Sequence, residues 1–121
     1  MESFEELKVY QEGRILRIKV SELCKKLPSE EKYRLIDQMI RASRSVTAQI
    51  AEGFGRFHHQ ENIQYCRIAR GSLSELHEHF NVAKDEGYLN SEEHKEFLNQ
   101  VKAVQKILNG YINYLKRAKS S

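Results

Sequence analysis

Apolar residues recur at alternating steps of three and four along four successive segments of this sequence. No other feature limits the fold as strongly. The first stripe is Val9, Gly13, Leu16, Val20, Leu23 and Leu27, and the second is Leu35, Met39, Ala42, Val46, Gln49 and Gly53. The third is Cys66, Ala69, Leu73, Leu76, Phe80 and Ala83, and the fourth is Phe97, Val101, Val104, Leu108, Tyr111, Leu115 and Ala118. A mean spacing of about 3.5 residues favours helices that pack at shallow crossing angles.

Short breaks separate the four segments. Leu27-Pro28-Ser29 ends one helix and starts the next, Gly53-Phe54-Gly55 interrupts the chain again, and Gly87 precedes a helix start at Asn90. The pattern predicts helices over residues 4–27, 29–53, 59–86 and 91–118. Because short connections make neighbouring helices antiparallel, we expect an all-α, up-down-up-down four-helix bundle that forms a single domain over residues 1–121.

Composition limits the class of protein. Hydrophobic residues make up 40% of the 121 residues and charged residues 31%, which argues against a disordered tail and against a membrane protein. The acidic start, Met1 to Glu6, has no apolar stretch typical of a secretory signal. Two cysteines without a spacing motif point to the reducing cytoplasm, and a net charge of +3 permits an anionic partner.

The second and third segments carry the most distinctive motifs. Leu27-Pro28-Ser29-Glu30-Glu31-Lys32-Tyr33-Arg34-Leu35 leads into Gln38-Met39-Ile40-Arg41-Ala42. Ser45-Val46-Thr47-Ala48-Gln49-Ile50-Ala51-Glu52-Gly53 and Ile68-Ala69-Arg70-Gly71-Ser72-Leu73-Ser74-Glu75-Leu76 follow. With Leu7-Lys8-Val9-Tyr10-Gln11 and Gly87-Tyr88-Leu89, the chain resembles the four-helix-bundle family of 23S rRNA intervening-sequence proteins. The accessory variability protein of diversity-generating retroelements resembles members of that family.

The resemblance implies a bundle that assembles as a homopentamer and associates with RNA or DNA. It implies no established catalytic residue. We also predict no cofactor. Gln49 stands where the family usually has asparagine before Ile-Ala-Glu-Gly, and its longer side chain changes the reach of any hydrogen bond made there.

Three arginines have no possible ion-pair partner on their own helix. Arg44, Arg67 and Arg70 have no acidic residue three or four positions away, whereas Asp37 precedes Arg41 and Glu52 precedes Arg56 by four. If the second and third helices fold back about residues 56–57, the three arginines lie at similar heights. They then form one patch for nucleic-acid phosphates, or they meet carboxylates on another helix or subunit.

Polar and small residues flank the apolar stripes of the second and third helices. An acid/base pair of Glu52 and Glu75 has no accompanying substrate-binding loop, so hydrogen bonding between helices or subunits is the better interpretation. Gly71 falls on an outer position, where close approach of another subunit explains a glycine. The candidates for an oligomer interface or motif are Gln38, Ser45, Glu52, Gly53, Gly71, Ser72 and Glu75.

Further candidates lie in the central loop and at the C-terminus. Phe54 and Phe57 beside Arg56 either stack on single-stranded nucleic acid or cap the end of the bundle. The basic cluster of Lys116, Arg117 and Lys119 either contacts nucleic acid or forms a solvated helix end. The histidine spacings, such as adjacent His58 and His59, argue against a metal site.

We therefore predict a non-enzymatic, homo-oligomeric bundle that binds nucleic acid, with structured RNA favoured. The predicted contacts are Arg44, Arg67, Arg70, Lys116, Arg117 and Lys119. The alternative is a protein-interaction scaffold or accessory subunit that binds a protein partner and no nucleic acid. A small enzyme is disfavoured because no nucleophile, metal or phosphate-loop motif accompanies the carboxylates.

Overall fold

The described part of the chain folds mainly into four long α-helices. The computed structural model describes residues 2–120, with side chains over residues 2–118. The α-helices are α1 (Lys8–Cys24), α2 (Leu35–Phe54), α3 (His59–Asp85) and α4 (Ser91–Ser120), and short 3-10 helices cover Phe4–Glu6 and Ser29–Glu31. Residues 2–120 contain no β-strand. The predicted all-α fold is confirmed.

Neighbouring helices run in opposite directions. Gly53, near the end of α2, lies against Asn62 at the start of α3, whereas Ser45 is hydrogen bonded to Ser72 farther along α3. Similarly, Asn62 is hydrogen bonded to Tyr111, and Asn81 to His94 nearer the start of α4. Within the described chain, no close backbone contact joins α1 to α3 or α2 to α4. The two members of each of these pairs therefore lie diagonally across the bundle.

The predicted apolar stripes form one core. Every residue of the first and third stripes is buried, while four residues of the other two are only half-buried: Gln49, Phe97, Tyr111 and Ala118. Ile50 and Ile112 flank the stripes and are also buried. Apolar residues beside the stripes of α2 and α4 therefore also contribute to this chain's own core. Burying a side chain of this size contributes about 1.5–3 kcal/mol.

Two predicted helix starts are wrong by several residues. Leu7 has an extended backbone that separates the first 3-10 helix from α1. After Pro28, the chain forms a 3-10 helix and a turn before α2 begins at Leu35. The carboxylate of Glu31 explains this start, because it accepts hydrogen bonds from the Leu35 N–H at 3.4 Å and the Tyr88 hydroxyl at 2.8 Å.

The predicted boundary between α3 and α4 is confirmed in detail. Gly87 has a positive φ of 82°, which glycine adopts without strain. The Tyr88 N–H donates to the Ala83 carbonyl at 2.8 Å and so closes the end of α3. At the start of α4, the side chains of Asn90 and Glu93 each accept a hydrogen bond from the other's backbone N–H, a capping box.

Candidate nucleic-acid interface

Two arginines from neighbouring helices line one groove between α1 and α2. The groove has a volume of about 360 Å³, and Arg17, Arg44 and Thr47 are among its lining residues. The Arg17 guanidinium donates to the Thr47 hydroxyl oxygen at 2.8 Å, and that hydroxyl donates to the Arg44 carbonyl at 3.3 Å. Within residues 2–118, neither guanidinium lies within ion-pair distance of a carboxylate. We call this the arginine groove.

Arg67 and Arg70 lie on a different part of the surface. The Arg70 guanidinium donates to the Asn109 side chain of α4 at 3.0 Å, and Arg67 is exposed on the adjoining outer side of α3. Arg44 instead lines a groove against α1. The structure therefore does not bring Arg44, Arg67 and Arg70 together, and the expected single patch is wrong. The Ser45–Ser72 hydrogen bond shows that Arg44 and Arg70 lie at similar heights along the bundle, as predicted. However, Arg44 lies beside α1 and Arg70 beside α4.

Arg17 and its neighbour Arg14 are absent from the predicted nucleic-acid contacts. Neither has an acidic residue three or four positions away, so the criterion that selected Arg44 also selects them. Arg14 is exposed one turn before Arg17 on α1. The same test applied to α1 would have identified both.

The predicted polar motif contains one contact that joins two helices. The Ser72 hydroxyl donates to the Ser45 hydroxyl oxygen at 2.8 Å and so joins α3 to α2. Gly53 allows these helices to approach, because a Cβ there would lie 2.6 Å from the Asn62 Oδ1 and 2.9 Å from the Tyr65 Cβ. In contrast, Gln38 and Gly71 are exposed, and a Cβ on Gly71 would meet no atom within 4 Å.

The two candidate carboxylates belong to separate contacts. Glu52 forms an ion pair with Arg56 at 2.8 Å near the α2–α3 loop, whereas Glu75 lies 2.9 Å from the His79 ring. Gly53, which follows Glu52, lies against Tyr65, and Glu75 is ten positions after Tyr65 along α3, or about 15 Å. The geometry gives them no shared reacting centre.

The two phenylalanines near the α2–α3 loop have different surroundings. Phe54 is half-buried against the core, as expected for a cap, whereas the Phe57 side chain is 92% exposed. Between them, Arg56 binds Glu52 and also contacts Glu61 at 3.8 Å. The guanidinium of Arg56 lies 4.9 Å from the centroid of the Tyr65 ring.

The basic C-terminal cluster lies at the same end of the bundle as this loop. Tyr114 and Leu115 border a cavity together with Phe54 and Phe57, and Lys116 and Arg117 follow them as exposed residues. Lys119 lies outside the residues whose side chains are described.

Both cysteines are buried core residues, as predicted. Burial raises the pKa of the Cys24 and Cys66 thiols to about 11. At neutral pH each is a protonated thiol, which is a poor nucleophile. Among the described side chains, no group of three or more His, Cys, Asp or Glu residues is arranged to hold a metal ion. None of the described helices is long and apolar enough to cross a membrane.

Comparisons with known proteins agree with the motif resemblance. The model of a family described as 23S rRNA-intervening sequence protein matches residues 5–110. The fold is similar to a crystal structure of a protein with unknown function from the S23 ribosomal protein family of Bacteroides thetaiotaomicron VPI-5482. That similarity has a TM-score of 0.79 at 21% sequence identity and covers 86% of this chain and 97% of that chain. No curated protein matches the chain.

Proposed function

This chain belongs to the 23S rRNA-intervening sequence protein family, and we propose that it is a non-enzymatic, homo-oligomeric bundle that binds nucleic acid, with structured RNA favoured. The arginine groove carries this proposal. Two guanidinium groups line one groove, and no carboxylate of the described residues lies within ion-pair distance of either, so both positive charges are left for an anion. A phosphate matches the planar donor pattern of arginine.

The distribution of charge along α4 supports recognition of a phosphate backbone. The helix has its acidic residues, Glu92, Glu93 and Glu96, in its first two turns, and every later charged residue is basic. Its basic end includes Lys116 and Arg117. Backbone contacts of this kind contribute affinity without reading sequence. Recognition of shape is therefore the expected mode, as for folded RNA.

Exposed apolar residues on diagonal helices support the oligomer. Ile15 and Ile18 are 41% and 39% exposed on α1, and Ile68 is 50% exposed on α3 beside the open space around Gly71. Two different surfaces on opposite sides of one chain suit head-to-tail contacts, which close into a ring when the rotation between subunits permits. We propose that these surfaces join the subunits, in a pentamer as the family resemblance implies.

The buried cysteines are consistent with a non-enzymatic protein of the cytoplasm. Their raised pKa values leave no thiolate for nucleophilic chemistry at neutral pH, and unpaired thiols are typical of reducing compartments.

The test is the fluorescence anisotropy of a labelled, structured RNA and of a DNA duplex across a salt series. We expect affinity to fall steeply with salt, and Arg44→Ala to lower both the affinity and the slope. On duplex DNA, losing one phosphate contact should reduce the slope of log affinity against log salt by about 0.9. Arg41→Ala is the matched control, because Arg41 is also an exposed arginine of α2, but it is paired with Asp37 at 3.6 Å.

Two results would contradict the proposal. If the unaltered protein shows no saturable binding at about 50 mM salt, a protein-interaction scaffold becomes the better description. If Arg41→Ala and Arg44→Ala weaken binding equally, the affinity comes from net charge and the arginine groove has no special part in it.

A further inference from the structure

A second cavity lies at the end of the bundle that holds the α2–α3 loop. It has a volume of about 390 Å³, and five of its lining residues are aromatic: Phe54, Phe57, His59, Tyr111 and Tyr114. We call it the loop-end cavity. Its volume is within the range of about 300–1,000 Å³ that is typical of small-molecule sites. The concentration of flat, apolar side chains suits a flat ligand.

Two polar groups in the loop-end cavity have hydrogens to donate. Asn62 is only 6% exposed, and its amide nitrogen donates one hydrogen to the Tyr111 hydroxyl oxygen at 3.1 Å. An amide nitrogen carries two hydrogens, and the Tyr111 hydroxyl keeps its own. Neither remaining hydrogen has an acceptor among the described residues. The cavity therefore offers aromatic faces together with donors that lack acceptors.

From these features we infer that the loop-end cavity binds one unpaired nucleobase of an RNA. A base stacks on aromatic rings with either face, and its carbonyl oxygens and ring nitrogens are acceptors for the donors of Asn62 and Tyr111. Phe57 is 92% exposed and Tyr114 is 53% exposed, so both rings are open to a ligand from solvent. Arg117, one turn after Tyr114, is exposed and carries a positive charge for an adjoining phosphate.

This inference rests on the proposed function and extends it from phosphates to a base. The arginine groove and the loop-end cavity share the first segment of the chain, because Phe4 lines the groove and Leu7 lines the cavity. An RNA strand that crosses residues 4–7 meets both sites. The loops and bulges of a folded RNA supply bases that are free to enter.

The experiment uses an RNA hairpin with one fluorescent 2-aminopurine in its loop and a fully paired RNA duplex without loops. We expect the protein to quench the loop fluorescence as the base stacks. Phe57→Ala and Tyr114→Ala should each weaken hairpin binding by about tenfold and leave duplex binding unchanged. Phe57→Trp keeps a ring and should retain hairpin affinity.

Tyr33→Ala is the matched control. Tyr33 is an aromatic residue that is 83% exposed, and Lys32 lies 5.3 Å from the centroid of its ring, but it lies in the α1–α2 connection at the other end of the bundle. Its loss should leave hairpin binding unchanged.

The outcomes separate this inference from the proposed function. If the unaltered protein binds neither RNA, both are wrong. If it binds RNA but Phe57→Ala and Tyr114→Ala affect hairpin and duplex equally, or no more than Tyr33→Ala does, only the base site is wrong. If either cavity variant lowers the native mass of the oligomer, the cavity is a subunit contact, and the base site is again wrong.

Discussion

At the scale of single residues, the surroundings of a glycine decide what a methyl group does there. Gly53 lies at a close approach of α2 and α3, and an added Cβ would lie 2.9 Å from the Tyr65 Cβ, an atom fixed to the backbone. Gly110 also lies within a helix, but an added Cβ would meet no atom within 4 Å. An added methyl group would therefore clash with α3 at Gly53 and meet no obstacle at Gly110.

We therefore expect opposite effects from the same substitution. Gly53→Ala should lower the free energy of unfolding by about 1–3 kcal/mol, because α2 and α3 must separate to admit the methyl group. Gly110→Ala should raise it by about 0.5–1 kcal/mol, because alanine favours the helix and nothing obstructs it. Urea denaturation followed by circular dichroism measures both. A Gly53→Ala variant as stable as the unaltered protein would show that the helices are less closely packed than described.

The buried thiols make stability depend on pH in the alkaline range. Cys24 and Cys66 have ordinary pKa values of 9.0, which burial raises to about 11 in the folded chain. As pH rises from 9 to 11, the unfolded chain loses thiol protons that the folded chain retains. The unfolded state then binds fewer protons, so the free energy of unfolding falls with pH.

We expect a Cys24→Ala/Cys66→Ala double variant to lose stability less steeply over this interval. Its absolute stability should be lower, because the smaller side chains leave small voids, so the slopes are compared and not the values. Urea denaturation at closely spaced pH values between 8 and 11 gives both slopes. If stability falls equally steeply with pH in both proteins, other groups, such as Tyr111 with its raised pKa, dominate the loss of stability at alkaline pH.

At the scale of the elements, the sequence predicted boundaries well where a backbone requirement or a local cap decides them. Gly87 supplies a positive φ, and Asn90 with Glu93 forms a cap from neighbouring residues. At the start of α2, the Glu31 carboxylate that accepts from the Leu35 N–H also accepts from Tyr88, which is far along the chain. Local patterns contain no information about that contact.

The same distinction applies to the arginines. A heptad pattern gives the height of a residue along its helix, and the heights of Arg44 and Arg70 agree with the Ser45–Ser72 hydrogen bond. The pattern did not show that one arginine turns toward α1 and the other toward α4. The prediction of a single patch failed for this reason.

At the scale of the whole molecule, the exposed isoleucines limit the symmetry of an oligomer. Helices α1 and α3 lie on opposite sides of the bundle, and each presents isoleucine to solvent. If each surface binds a copy of itself, one altered surface leaves the other contact intact. If the α1 surface of one subunit binds the α3 surface of the next, either alteration breaks every contact.

Mixing two variants separates these arrangements. Ile15→Glu/Ile18→Glu removes the α1 surface and Ile68→Glu removes the α3 surface, and we expect each protein alone to be a folded monomer. In a mixture, the intact α3 surface of the α1 variant can bind the intact α1 surface of the α3 variant, so a 1:1 heterodimer should form. It should not grow further, because its two remaining surfaces carry the introduced glutamates. Light scattering coupled to gel filtration measures the masses. If either variant alone forms oligomers, the head-to-tail arrangement is ruled out. If the mixture contains only monomers, the α1 and α3 isoleucine surfaces do not bind each other as proposed.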